Sequence, residues 1–241
     1  MYRLTNKGEN IREMFDSIAP RYDLLNRLLS LGIDRRWRQF AVKQIKFAAG
    51  GRILDVATGT ADVALEIAAF TPDSVTVSGV DFSPQMVEFG REKVNRSVFA
   101  DRITLHVAPC ESMPFEDNCF DSATIAFGIR NVVDRLCGLK EILRVLKPGG
   151  RIVVLEFSNP RSKVFKAAYN FYFLKILPVV GGLISNFSAY KYLPDSVLEF
   201  PSQEEFKKIM SAAGFRGVLH KELTFGIATV YSGEKSVGEN Y

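Results

Sequence analysis

From residue 52 onward, short apolar runs alternate with segments whose apolar positions recur every three or four residues. Runs of four to seven residues with β-branched side chains, bounded by turn residues, predict strands; the longer amphipathic stretches predict helices. Read this way, strands fall at about 52–56, 75–81, 103–107 (Ile-Thr-Leu-His-Val, alternating), 120–126 and 151–156. Helices fall between them at 62–70, 84–95 and 135–146. Ser83-Pro84 opens the second helix, because proline in a first turn lacks an N–H that would have no partner there anyway. Lys147-Pro148-Gly149-Gly150 reads as a sharp stop before the fifth strand. Such alternation predicts an α/β fold, a doubly wound and mostly parallel sheet with helices on both faces.

The flanks follow other rhythms. Residues 8–48 read as helical, with Ile11, Met14, Phe15 and Ile18 on one stripe. Pro20 breaks that run, Tyr22–Asn26 opens a second, and Asp34 is placed to cap a third holding Trp37, Phe40, Ala41 and Ile45. This prefix, 1–48, is not required to build a sheet and reads as a helical lid, with a packing appendage as the alternative; the remainder, 49–241, reads as the main domain. Within it an aromatic-rich segment at about 160–200, including Phe165, Tyr169, Phe171, Tyr172 and Phe173, is broken by Lys175, Pro178 and Gly181-Gly182. Three readings stay open for it: the wall of a lipophilic pocket, a membrane-surface contact, or a buried helical hairpin. Ser202-Gln203-Glu204-Glu205 is a capping box for a helix reaching Ala213. Strands six (216–223) and seven (226–234) follow, paired antiparallel, and the tail from Ser236 reads as frayed.

With 241 residues, 47% hydrophobic and 24% charged, the chain suits one large globular domain with elaborations. A formal net charge of +4 fits an anionic membrane surface, and is too diffuse to point to nucleic acid. Three cysteines without metal-type spacing argue against both a disulfide framework and a metal centre. The first seven residues lack the apolar core of a signal peptide, and no run reaches the roughly 18 apolar residues of a spanning helix. A cytoplasmic protein is expected, peripheral at the inner face of the cell membrane if it docks there.

The chemistry concentrates at Ile53-Leu54-Asp55-Val56-Ala57-Thr58-Gly59-Thr60-Ala61-Asp62. A strand ending in an acid, a small-residue turn and a helix start form the corner where an open parallel sheet approaches a nucleotide-like ligand. Larger side chains would hold the ligand off the backbone N–H groups. About 20 residues past such a turn, an acid ending the next strand accepts the two hydroxyls of a ribose, and Asp81 stands there. A dinucleotide is disfavoured: only Gly59 of a G-x-G-x-x-G set is present, and Asp55 and Asp62 would repel a pyrophosphate. Those carboxylates suit a cationic ligand, the sulfonium of S-adenosylmethionine. The bland alternative for Asp55 alone is that it merely caps the following helix. His106 and His220 lie inside strands and read as structural.

Taken together, these features resemble the class I S-adenosylmethionine-dependent methyltransferases. Within that class the chain resembles the ubiquinone/menaquinone biosynthesis C-methyltransferases. The resemblance rests on Phe15–Asp23 (FDSIAPRYD), Asp55–Asp62 (DVATGTAD), Thr124–Val132 (TIAFGIRNV), Tyr192–Val197 (YLPDSV) and Leu223–Ala228 (LTFGIA), and covers about residues 8–234. It implies a Rossmann-like fold of seven strands with an antiparallel last strand, and an insertion at 160–200 on the substrate side. It implies C-methylation of a polyprenylated quinol ring, most simply demethylmenaquinol to menaquinol, and leaves room for a homodimer.

On that resemblance the cofactor side comprises Asp55, Thr58, Gly59, Thr60, Asp81, Phe82, Met86, Pro109, Cys110, Glu111, Ala126 and Phe127. Pro109 departs from a polar residue common in the family, so adenine recognition would rest on the Cys110 backbone, Glu111 or stacking. Ala126 replaces a serine of some relatives, and Ala61 replaces a common glycine. Arg130, Asn131 and Tyr22 are the catalytic candidates. A quinol carbon becomes nucleophilic when a ring hydroxyl loses its proton, so the protein must stabilise a phenolate-like oxygen. Arg130 is suited as a fixed cation or as the group that lowers the pKa of a bridging water, and Asn131 as the group that orients that oxygen or water. A surface ion pair with Asp134 is the bland alternative for Arg130. The proton would pass to water, Tyr22, Asp23 or another carboxylate. Other acceptors, such as a phospholipid amine or a sterol, and a non-catalytic cofactor-binding subunit remain as alternatives.

Overall fold

The structure, a computed structural model, describes residues 5–30, 32–158 and 187–237. The aromatic stretch from Phe165 to Ile184 lies outside the described residues, as do the three readings of it, and so does most of the tail.

Seven strands form one sheet: β1 (Arg52–Val56), β2 (Thr76–Asp81), β3 (Ile103–Val107), β4 (Phe120–Ala126), β5 (Leu146–Phe157), β6 (Arg216–Leu223) and β7 (Ala228–Glu234), in the order β3-β2-β1-β4-β5-β7-β6. β7 runs antiparallel to both of its neighbours, and the other pairings are parallel. Strand order reverses between β1 and β4, so the loops after β1, β2, β3 and β4 meet at one edge of the sheet. That reversal is where an open α/β sheet leaves a crevice for a ligand.

The helices are α1 (Asn6–Ile18), α2 (Tyr22–Ser30), α3 (Asp34–Val42), α4 (Asp62–Phe70), α5 (Pro84–Asn95), α6 (Arg135–Val145), α7 (Phe187–Leu198) and α8 (Gln203–Ala212). Alternation along the central strands builds two separate cores, because successive side chains leave opposite faces of a sheet. Ile53, Val77, Val153 and Leu155 pack with Trp37, Ala41 and Val42 of α3 and with α4 and α5. Leu54, Val56, Ile152 and Val154 pack with Leu139 and Ile142 of α6 and with Phe206 and Met210 of α8. The third helix of the prefix is therefore part of the sheet's flanking layer. Trp37 is tied further, its indole N–H donating to Thr224 Oγ1 at 2.9 Å.

Two local expectations need correction. Lys147-Pro148-Gly149-Gly150 does not stop the chain before β5 but lies inside it. Leu146 already pairs with Phe120, and a register shift follows before Ser122 meets Arg151. Gly149 takes a left-handed φ of 77° there, and its N–H donates to the Lys235 carbonyl at 2.9 Å, so the glycines form a bulge that bends the strand without ending it. Asp34 is not a side-chain cap. It is the first residue of α3 and accepts from the Ser30 hydroxyl at 2.5 Å while pairing with Arg38. Ser83 and Ser202 do cap α5 and α8, the latter through a complete capping box.

α1 and α2 cross the ligand edge, joined by a three-residue 3-10 turn that contains Pro20. Ile18 and Ala19 bury against Met86 of α5, with Phe15 and Tyr22 beside them.

Candidate active site

The loop after β1 is held by its own carboxylate. Asp55 is 1% exposed, and the hydroxyls of Thr58 and Thr124 donate to its two oxygens at 2.6 and 2.7 Å. Burial pushes its pKa up to about 6, against the two hydroxyl bonds. The carboxylate thus sits beneath the turn and fixes its shape. Asp62 also turns away: Lys93 Nζ lies 2.7 Å and Arg38 Nη2 3.2 Å from its oxygens. Although burial acts to raise it, Lys93 and then Arg38 hold the Asp62 carboxyl below its ordinary value. The two acids that flank the turn in sequence therefore have their oxygens engaged by protein groups and not turned toward a ligand.

Asp81, at the end of β2, faces the cleft. Its Oδ2 accepts the Gly59 N–H and its Oδ1 the Ser83 N–H, both at 2.9 Å. Burial pushes its pKa up to about 6, opposed by these amides and supported by nearby Asp16. A carboxylate offers about four lone-pair sites, so two remain for hydroxyl donors. Gly59 itself adopts φ 54°, as do Ala57 (52°) and Ala61 (68°) among non-glycine residues. The substitution of Ala61 for glycine therefore acts through left-handed backbone, a strain of about 1–2 kcal/mol for a residue with a Cβ.

A cleft opens beside this crossing, with about 680 Å³ of empty space that includes open solvent at its mouth. Its wall takes Gly59 and Ala57 from the β1 loop; Asp81, Phe82 and Met86 from the β2 loop and α5; Pro109, Cys110 and Glu111 from the β3 loop; and Ala126, Phe127, Gly128 and Asn131 from β4 and the loop after it. Phe15 and Tyr22 close it from the prefix. The Cys110 thiol is pushed well above its ordinary pKa by burial, with Glu111 adding to the effect, so it is an apolar wall and not a nucleophile. Met86, Pro109 and Cys110 contribute apolar lining of the kind a purine ring needs.

Four sequence-predicted residues lie outside this wall. Asp55 and Thr58 lie beneath the turn. Thr60 donates to Asp23 Oδ1 at 2.6 Å and accepts from Lys93 Nζ at 3.1 Å, committing it to the prefix. Arg130 follows β4 in a 3-10 turn (Ile129–Asn131) and points into the protein. Its guanidinium donates to Glu156 Oε1 at 2.8 Å and to the Phe127 carbonyl, with its Cζ 5.6 Å from the Phe157 ring centre. The expected alternative partner, Asp134, instead caps α6 by accepting the Cys137 N–H at 2.9 Å. Arg130 is thus a buried, paired cation behind the loop.

Burial raises the Tyr22 pKa, with Asp81 and Asp23 adding to it against Asn26 and Arg130, so Tyr22 is protonated near neutral pH. Asp23 is held by Lys93 at 2.5 Å and by Thr60, which leaves neither as a free base. His106 packs edge-on to Phe115 at 5.2 Å, and His220 lies beside Tyr231 at 6.0 Å, both away from the cleft.

Sequence reasoning missed several functional contacts. The Phe15–Asp23 motif, in which the sequence assigns candidate chemistry to Tyr22 and Asp23 alone, also forms a clamp through Phe15 and Asp16. Phe15 meets Phe82 edge-on at 6.2 Å, Asp16 accepts the Ser83 hydroxyl at 2.5 Å, and Tyr22 lies over Gly59. Tyr192, in an unassigned motif, donates to Asn131 Oδ1 at 2.9 Å.

The profile of the ubiE/COQ5 methyltransferase family matches residues 3–235. The ubiquinone/menaquinone biosynthesis C-methyltransferase UbiE of Geotalea uraniireducens is 71% identical over 235 residues, covering 98% of this chain and 100% of that one. The demethylmenaquinone methyltransferase of Deinococcus radiodurans is 47% identical over 231 residues, covering 95% of this chain and 94% of its own. Among solved structures, the [4+2]-cyclase SpnF superposes with a TM-score of 0.72 over 96% of this chain and 97% of its own, at 17% identity. An S-adenosylmethionine-dependent methyltransferase from Aquifex aeolicus gives 0.60 over 82% and 88%, at 20% identity. At such identities these two establish the Rossmann-like fold alone, and the cyclase illustrates that this fold hosts more than one chemistry.

Proposed function

Because the chain belongs to the ubiE/COQ5 methyltransferase family, we propose that it transfers a methyl group from S-adenosylmethionine to a ring carbon of a polyprenylated quinol, demethylmenaquinol being the simplest acceptor. The observation that carries this reading is the crossing of Asp81 and Gly59 at a cleft whose opposite loop presents Asn131. The cleft is lined from the β1, β2, β3 and β4 loops and from the prefix together, so a cofactor and an acceptor would meet in one place. The residues present fit the cofactor: Asp81 has acceptor sites left for two ribose hydroxyls, Gly59 brings backbone close, and Met86, Pro109 and Cys110 offer an apolar wall.

S-adenosylmethionine, when bound, supplies an electrophilic methyl group on a sulfonium. The chain's own task is to hold the acceptor carbon in line with it and to favour the ionised ring oxygen. Asn131 stands in the wall for that oxygen. Tyr22, protonated, serves as a donor and as an apolar cover over Gly59. Arg130 acts at one remove, holding the Phe127 carbonyl and Glu156 so that the loop bearing Asn131 keeps its shape. The proton passes to water. α1 and α2 serve as the lid, clamped by Asp16 and Asp23.

A polyprenylated quinol partitions into bilayers, so the enzyme meets it at a membrane surface as a peripheral protein. Among the described residues, no helix is long and apolar enough to cross a membrane. The test is methyl-labelled S-adenosylmethionine with short-chain demethylmenaquinol under reducing conditions, the product identified by mass spectrometry. Label on the ring carbon is expected. Cofactor binding without transfer would overturn the acceptor and leave the fold and cofactor standing.

A further inference from the structure

We propose that Tyr192 is a positioning residue for this transfer: its hydroxyl fixes the Asn131 side chain so that the amide nitrogen, not the oxygen, is offered to the acceptor's ring oxygen. The inference rests on the quinol reading above.

An asparagine side chain has an accepting and a donating edge of nearly equal shape, and it presents to a ligand whichever edge its own partner leaves over. Asn131 lies in the cleft wall, and Tyr192 reaches it from α7, which packs on the Ile129–Asn131 turn and on α1. The Tyr192 hydroxyl donates to Asn131 Oδ1 at 2.9 Å. Among the described residues this is the hydrogen bond of the Asn131 side chain, and its Nδ2 has no acceptor there. Burial chiefly, with Glu199 and Glu156 against Arg130 and Arg135, raises the Tyr192 pKa, so the hydroxyl keeps the proton it donates. A ring oxygen gaining negative charge needs a donor, and an unrestrained amide would spend part of its time with the wrong edge forward.

The test uses the full chain and Tyr192→Phe, which keeps the ring and its packing. Wild-type turnover on short-chain demethylmenaquinol is measured first; its absence would overturn the quinol reading whatever Tyr192 does. In Tyr192→Phe, kcat is expected to fall by about tenfold, less than the roughly 10²–10³ of deleting an oxyanion donor outright, because Asn131 itself remains. KM for the quinol and Kd for S-adenosylmethionine should stay within about twofold, since the interaction is made in the transition state. The deficit should shrink as pH rises, because a donor aids a hydroxyl that alkali ionises unaided. Tyr192→Phe in an Asn131→Ala background should add no further loss. An unchanged kcat, an equal loss in KM, a pH-independent deficit or multiplicative losses would each overturn the proposal. Independently of turnover, the Asn131 side-chain amide resonances of nitrogen-labelled protein should shift in Tyr192→Phe; unmoved resonances would overturn it too.

Discussion

The Arg130 guanidinium lies 2.8 Å from the Glu156 carboxylate, with side-chain exposures of 6% and 0%. A buried pair of this kind is weak in net stabilisation but costly to break, because the remaining charge has no water. Glu156 also accepts the Arg130 backbone N–H, at 3.2 Å, so it fixes the turn twice. Glu156→Ala and Arg130→Ala are each expected to lower the unfolding free energy by about 3–5 kcal/mol in urea titrations. Glu156→Gln, which retains an acceptor, should cost less. A loss under about 1 kcal/mol in Arg130→Ala would mean that the guanidinium is free to serve the substrate directly.

Asp81 sets a pH dependence for cofactor binding. Its pKa, pushed up to about 6 by burial, exceeds the 3.8 of an exposed aspartate, so the folded protein holds the proton more tightly than the unfolded chain. By linkage, stability falls as pH rises from about 4 to about 6, where the buried group is forced to ionise. Binding has the opposite sign. Ribose hydroxyls and a sulfonium both favour the carboxylate, so affinity for S-adenosylmethionine should rise up to tenfold per unit as pH climbs to about 6, then level. Calorimetry from pH 5 to 8 measures this. Asp81→Asn should bind weakly and without that slope; a slope retained in the variant would assign it to another group.

The clamp between prefix and cofactor loops predicts a cofactor effect at residues outside the cleft wall. Asp16 accepts the Ser83 hydroxyl at 2.5 Å and the Gln85 N–H at 3.3 Å, while Ser83 also donates its N–H to Asp81. Asp16→Ala should loosen residues 6–30 and unsettle Asp81 through Ser83. Hydrogen exchange across α1 and α2 is expected to quicken, and affinity for S-adenosylmethionine to drop by roughly 10–150-fold, the upper bound set by the about 1.5–3 kcal/mol of a lost hydrogen bond to a charged group. Faster exchange with unchanged affinity would separate the prefix from cofactor binding.

Much of this architecture was legible in the chain. The Arg52–Val56, Asp62–Phe70 and Pro84–Asn95 elements follow from apolar periodicity and from serine and proline at the helix start, which are local signals. Asp81 and Gly59 were legible because their spacing is imposed by one strand–helix–strand unit. What was not legible depends on contacts distant in sequence. Nothing near Arg130 announces that its partner is Glu156 on β5. Nothing near Asp55 shows that Thr124 of β4 seals it from the ligand. Lys147–Gly150 carries every local sign of a stop, yet pairing with β4 and with Lys235 overrides it. Trp37 belongs to a prefix that reads as a lid, yet its bond to Thr224, 187 residues away, ties it to the sheet's own layer.

That long-range logic extends to the contact between the β1 and β4 loops, where Gly128 meets Ala57. A Cβ on Gly128 would come closer to the Ala57 Cβ than two carbons can approach, and both residues line the cleft. Gly128 has φ −113°, which any residue adopts, so the demand for glycine here is space and not backbone freedom. Ala57, by contrast, stands at φ 52°, where glycine is easier. Gly128→Ala should therefore push the loops apart, costing about 1–3 kcal/mol. In a chain of this size that corresponds to a fall in melting temperature of about 2–4 °C per kcal/mol, with a parallel loss of cofactor affinity. Ala57→Gly in the same chain removes the opposing methyl and relaxes the left-handed backbone, so the double variant should recover most of both losses. If melting temperature and S-adenosylmethionine affinity are no better in the double variant than in Gly128→Ala alone, the two loops are not in the contact the structure gives them, and the shape of the cleft between them must be redrawn.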